Sequence, residues 1–173
     1  MEILENKAEW VVNFENGWSS HHRETGHFDW TRYQYANNRT PISGPGIDLS
    51  QSRLALISTA GGYLPEQQEP FDAANDFGDY SIRTFPSTIA LETVAHAHDH
   101  YNQVAVKDDP QVLLPLRHLE ALVEAGVMGE LAPSVISFMG YQPNLGRVVD
   151  ELYPAILEVL KAEAVTAALL VPA

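Results

Sequence analysis

The stretch RLALISTAGG, residues 53–62, decides how the chain is to be read. Leu54 to Ser58 form a short apolar run that Gly61 and Gly62 bring to a stop. A run of this length that does not alternate with polar residues has the pattern of a strand buried on both faces, as in parallel sheets, followed by a tight turn. The pattern recurs in SVISFMGY (134–141), broken at Gly140, and in the uncharged AVTAALLVPA (164–173), which reads as a strand for the middle of a sheet. Between these runs, LPLRHLEALVEAG (114–126) predicts a helix, with Pro115 near its start, Leu116, Leu119, Leu122 and Val123 on one face and Gly126 as the stop. NLGRVVDELYPAILEVLKAEA (144–164) places apolar residues at helical spacing from Leu145 to Leu160, kinked or divided at Pro154. Strands separated by helices pair in parallel through right-handed crossovers. The expected fold is therefore α/β over residues 51–173: an open, Rossmann-like parallel sheet with flanking helices.

Residues 1–50 are rich in aromatics, His, Asn, Gly and Pro, and NNRTPISGPGIDLS (37–50) is a loop by composition. They predict an irregular N-terminal arm laid over the domain or a partner. His21, His22 and His27 have no matched ligands at a diagnostic spacing and read as surface or packing residues.

The net charge of -13, from 23 acidic and 10 basic residues, argues against phosphate backbones or anionic membranes as partners. With no cysteine among the 173 residues, neither a disulfide framework nor thiol chemistry is available to them. No apolar stretch approaches the roughly 20 residues of a membrane span, and the N-terminus lacks a signal-peptide pattern. The expectation is a soluble cytoplasmic protein with neither nucleic acid nor membrane as partner.

Open α/β sheets bind ligands outside the carboxyl ends of their strands. There, Gly61, Gly62 and Gly140 would allow close backbone approach and offer amides to an anionic group, although tight turns alone would also call for glycine. Glu66 follows the first strand, and Tyr141 the second. No Gly-x-Gly-x-x-Gly or Walker-type loop occurs, so nothing points to a nucleotide cofactor.

In VAHAHDHYN (94–102), an extended backbone would put His96, His98 and His100 on one face about 7 Å apart, too far for one ion to take all three. A helix would bring His96 and His100 together but still need ligands from elsewhere. No metal site is assigned, and His98, Asp99 and His100 are instead candidate acid/base or orienting groups. Arg83 could hold a carboxylate or enter a structural ion pair.

Taken in order, RLALISTAGGYLPEQQEPFD, GDYSIRTFP, HDHYN, GELAPSVISFMGY and AALLVPA resemble the selenoprotein B family of glycine, betaine, sarcosine and D-proline reductases. The resemblance runs from Arg53 to Ala173 and shows little in residues 1–50. It implies reductive cleavage of a carbon–nitrogen bond in an amino acid or N-methylated derivative. It also implies a selenocysteine or cysteine nucleophile directly after the strand corresponding to ALLVPA. No cofactor is implied in this chain, but a pyruvoyl group on a partner subunit is. The HDHY match implies a catalytic pocket role for His98, Asp99 and His100, and the TAGG and FMGY turns would line the same crevice; the candidate substrate-binding residues are Gly61, Gly62, Glu66, Arg83, Gly140 and Tyr141.

A thiolate or selenolate cannot be replaced by any side chain present here. The expectation is an in-frame UGA codon after Ala173, meant for selenocysteine, an incomplete sheet exposing apolar surface, and a homo-oligomer that catalyses little by itself. Reductase partner subunits and a small amino-acid-like substrate follow from the same resemblance. Two other classes stay open: a non-catalytic binding or scaffold protein of the same fold, and a metal protein using His98 and His100.

Overall fold

The computed structural model describes residues 3–40, 44, 46–97 and 103–173. Strand β1 (Arg53–Ser58) is used on both edges. On one side it pairs in parallel with β7 (Ala167–Val171), from Leu54↔Ala167 to Ser58↔Val171. On the other it pairs in parallel with β5 (Glu130–Leu131) and, beyond Ala132 and Pro133, with β6 (Ser134–Ser137). β3 (Arg83–Pro86) extends that side, antiparallel to β6. β2 (Gly62–Tyr63) and β4 (Ala95–His96) form a separate antiparallel ladder. The α/β architecture and mostly parallel sheet agree with the pattern of the three apolar runs.

Taken in chain order, β1, β6 and β7 lie side by side with the first in the middle. The chain thus leaves β1 toward one edge and later returns to the other, so the topological switch point falls between β1 and β7. One face of β1 carries Leu54 and Leu56, which pack with Val135 of β6 and with Leu116 and Leu119 of α4 (Leu116–Glu124). α4 stops where expected: Gly126 takes φ 69°, a left-handed turn that residues with a Cβ adopt at a cost.

Three elements differ from the sequence expectation. β7 is not central among the described residues, since it pairs with β1 alone and leaves Leu169 36% and Leu170 66% exposed. The second crossover helix is not divided at Pro154. It runs through α5 (Leu145–Arg147), a π turn (Val148–Leu152) and α6 (Tyr153–Ala162). The π turn lies just ahead of Pro154, whose missing amide and ring clash with the preceding turn disrupt regular i to i−4 bonding there.

The N-terminal arm is not irregular throughout. Its first half is a continuous helix of α1 (Lys7–Phe14), a π turn (Glu15–Ser19) and α2 (Ser20–Thr25), closed by Gly26 at φ 70°. The reason is a stripe of rings every fourth residue. Trp10 stacks on Phe14 at 5.1 Å, Phe14 on Trp18 at 5.5 Å, and Trp18 on His22 at 5.7 Å between centroids. In an ideal α-helix of about 3.6 residues per turn such a stripe would drift about 40° at each step. The π turn in its middle takes up that drift and keeps the rings on one face.

This face docks on the domain. The Tyr33 hydroxyl donates to the Pro143 carbonyl at 3.0 Å, Lys7 pairs with Asp150, and Val11 lies against Gly146, where a Cβ would come within 2.7 Å of Val11 Cγ2. Trp18 is the centre of the arm's packing, with 1% of its surface exposed and, besides Phe14 and His22, the rings of Phe28, Trp30, Tyr33 and Phe77 around it. Trp18→Ala should cost about 3–5 kcal/mol in urea unfolding. Trp18→Phe should cost less than half of that, because the indole Nε1 is buried without a hydrogen-bond partner among the described residues and its removal leaves nothing newly unsatisfied.

Candidate functional site

The carboxyl ends of β1, β6 and β7 meet at one cleft of about 310 Å³. Its lining combines Met139, Gly140 and Tyr141 after β6, Ala173 after β7, Ala73, Asn75 and Asp76 from the acidic loop between β2 and β3, and Phe28 and Trp30 from the arm. Thr59, the first residue beyond β1, ties the strand ends together. Its amide donates to the Val171 carbonyl at 3.1 Å, and its Oγ1 accepts from the Ala173 amide at 2.8 Å. The cleft therefore sits at the β1/β7 switch point, where open α/β sheets bind ligands.

The acidic loop is held against the β6 end by specific contacts. Gly78 takes φ 80°, and a Cβ there would lie 2.9 Å from the Tyr141 carbonyl oxygen, so the close approach requires glycine. Gln142 Nε2 donates to the carbonyls of Asp79 and Met139 at 2.6 and 2.7 Å. The Tyr141 hydroxyl donates to the Asp76 carbonyl at 3.0 Å. His22, the last ring of the arm's stripe, is buried, stacks on Phe28 at 4.5 Å, and its Nε2 donates to Asp76 Oδ2 at 3.0 Å. Against a carboxylate acceptor this places the imidazole proton on Nε2. Asp76 thus has its backbone fixed by Tyr141 and its side chain by His22.

Gly140 and Tyr141 line this cleft, as their position after the second strand suggested. Gly61 and Gly62 sit beside it, but their amides are engaged inside the fold: Gly61 donates to the Phe138 carbonyl at 3.0 Å and Gly62 to Ser137 Oγ at 2.7 Å. They cannot offer those amides to an anion. What they do is seat the β2–β4 ladder, with the Gly61 carbonyl accepting from Ala97 at 3.0 Å. Glu66 belongs to a different cleft, with Leu64, Pro65, Gln67, Ile89 and Thr93.

Arg83 is a structural clasp and makes no ion pair among the described residues. It donates to the carbonyls of Glu69, Pro70 and Ile82 at 2.9, 3.3 and 3.0 Å and lies over the Phe71 ring at 4.4 Å. His98, Asp99 and His100 lie outside the described residues. Among the described residues, no three His, Asp or Glu side chains form a group able to hold a metal ion.

Phe28, Trp30, Thr59 and Asp76 were not singled out from the sequence. For the arm, the legible signal was the four-residue spacing of Trp10, Phe14, Trp18 and His22, which marks a helix and therefore a docked segment. Asp76 carried no such mark, being one of several acids in a polar stretch.

Burial pushes the Tyr141 phenol up to about 12 from 10.0, with the negative charge of Asp76 adding to it. Burial also holds Tyr80 at about 12, partly offset by the Asn144 amide that donates to its oxygen at 2.7 Å and by the Arg147 guanidinium over its ring at 4.0 Å. A raised phenol favours the protonated form in the folded state, so its contribution to stability is complete below pH 10 and is lost as pH rises from 10 toward 12. Burial raises the Tyr33 phenol as well, so an alkaline titration followed by tyrosinate absorbance should show three of the seven tyrosines, Tyr33, Tyr80 and Tyr141, ionising late. Asp76→Asn should bring Tyr141 earlier and leave Tyr80 unchanged, with Tyr141→Phe identifying the step.

Comparison with known proteins gives the site its context. The family model described as glycine/sarcosine/betaine reductase selenoprotein B matches residues 28–173, so it takes in Phe28 and Trp30 and starts well before Arg53. The chain is similar to the D-proline reductase subunit gamma of Acetoanaerobium sticklandii, with 29% identity over 75% of this chain and 54% of that protein. It is similar to the sarcosine reductase complex component B subunit beta of Peptoclostridium acidaminophilum, with 28% identity over 63% of this chain and 25% of that protein. It is also similar to the glycine reductase complex component B subunit gamma of Carboxydothermus hydrogenoformans, with 28% identity over 78% of this chain and 31% of that protein. The chain spans about half or less of the length of these relatives. No solved structure matches it. With a family match over most of its residues and its cleft at the ends of the strands that carry the match, the chain belongs to the glycine/sarcosine/betaine reductase selenoprotein B family.

Proposed function

We propose that these residues form the strand-end platform of a reductase subunit that cleaves the carbon–nitrogen bond of a glycine-, sarcosine-, betaine- or proline-type substrate. The observation that carries this is the position of Ala173: hydrogen-bonded to Thr59 at 2.8 Å and lining the cleft at the β1/β7 switch point. A residue joined to Ala173 would be delivered to that cleft. On this reading it is the selenocysteine or cysteine nucleophile, because no thiol exists among the 173 residues and no hydroxyl or imidazole matches a chalcogenolate as attacking group. His98, Asp99 and His100 act as the acid/base or orienting groups, and a pyruvoyl group, where used, resides on a partner subunit.

The exposed edge of β7, with Leu169 and Leu170, is the surface on which a partner subunit or a second copy would pair. That supports an assembled protein, housed in the cytoplasm where a chalcogenolate stays reduced.

Protein purified from its native cells should carry selenium or a reactive thiol, exceed 19.1 kDa in intact mass, and bring reductase subunits with it. The DNA should continue in frame through a TGA or cysteine codon after codon 173. A selenium-free, thiol-free protein of 19.1 kDa without such subunits would instead leave the scaffold reading.

A further inference from the structure

The cleft's lining is more specific than a generic crevice. Three rings meet there. Trp30 lies in tilted contact with buried Trp18 at 5.3 Å, stacks on Phe28 at 5.9 Å and 17°, and meets Tyr141 edge-on at 6.5 Å and 85°. Phe28 and Trp30 each keep 47% of their surface exposed and Tyr141 keeps 37%, so part of each ring stays uncovered where the three line the cleft. The charged residue among them is Asp76, and among the described residues no Lys or Arg lines the cleft. The Asp76 side chain is 55% exposed, but its orientation is set, because His22 holds its carboxylate at 3.0 Å while Tyr141 holds its backbone at 3.0 Å.

Aromatic faces carry negative potential, and a carboxylate beside them adds a full charge. Together they attract a cation whose own surface is apolar, above all an alkylated ammonium. A neutral apolar ligand would gain from the rings but not from Asp76. An anion would be repelled by both, unless a cationic end enters first.

From this we propose that Phe28, Trp30, Tyr141 and Asp76 form an ammonium-binding cage, which holds the amine end of the substrate beside the strand end at Ala173. The inference rests on the reductase reading and adds its recognition element: the arm, rather than the glycine turns, selects the ligand by its positive charge. The amine that is to leave then sits beside the residue that follows β7.

The test uses the 173-residue chain and betaine, with 3,3-dimethylbutyrate as the control, in which carbon replaces the quaternary nitrogen at the same size and shape. Tetramethylammonium reports the charge term alone. By calorimetric titration betaine and tetramethylammonium should saturate, and the carbon analogue should bind about tenfold more weakly or worse. Trp30→Ala and Asp76→Asn should each weaken betaine about tenfold, while Trp30→Phe, which keeps a ring, should retain most of the affinity. If Trp30→Ala fails to fold, Asp76→Asn and Trp30→Phe still decide the matter. Equal binding of betaine and its carbon analogue, no saturation by either cation, or full affinity in Asp76→Asn would each overturn the cage. Such a result alongside selenium in the native protein would leave the reductase reading intact, whereas a cage in a selenium-free, thiol-free protein would remove the chemistry and keep the binding.

Discussion

The double use of β1 is the constraint on which the rest of the molecule depends. With β5 and β6 on one edge and β7 on the other, its backbone groups are satisfied from both sides, and its side chains can be apolar on both faces. The same pairing creates the switch point. Because β7 returns to the opposite edge from β6, the crossovers diverge at the carboxyl ends and open a cleft that the sheet alone does not roof. Thr59 extends the β1–β7 ladder one step past the strand, which is why Ala173 is held at the cleft.

The roof comes from the arm, and a second constraint puts it there. Rings placed every four residues are compatible with one helix face only if the average turn is wider than 3.6 residues. The π turn at Glu15–Ser19 meets that condition, and the stripe it preserves leads from Trp10 through Trp18 to His22, which anchors Asp76. Packing of the arm and geometry of the site are thereby one problem: the ring stack that buries Trp18 also sets Trp30 over the strand ends.

Much of the sheet was legible because buried parallel strands have a local signature. RLALIS, SVIS and AALLV are strands, and α4 ends at Glu124, just before the left-handed turn at Gly126, as their apolar runs and breakers imply. The arm was misread because its Asn, Gly and Pro content, concentrated after residue 36, masked the four-residue ring period before it. Gly61 and Gly62 show a different limit. A glycine-rich turn after a strand is visible in sequence, but whether its amides face a ligand or a neighbouring Ser137 hydroxyl and Phe138 carbonyl is decided by tertiary packing. Arg83 is similar, since most of its hydrogen-bond partners are backbone carbonyls that any sequence would offer. Pro154 does not divide its helix, but the turn ahead of it departs from α geometry as a π turn.

The central claim is that the arm closes over the strand ends, so that Trp30 and Ala173 face the same space. The chain has no cysteine, so Ala173→Cys supplies a unique attachment point for a bimane fluorophore, which indole quenches on contact. The account predicts strong quenching of that label, relieved when Trp30→Phe is added and unchanged by Tyr35→Phe, whose ring lies outside the cleft lining. Emission as bright with Trp30 as with phenylalanine in its place would contradict it, and with it the cleft as the site of the chemistry.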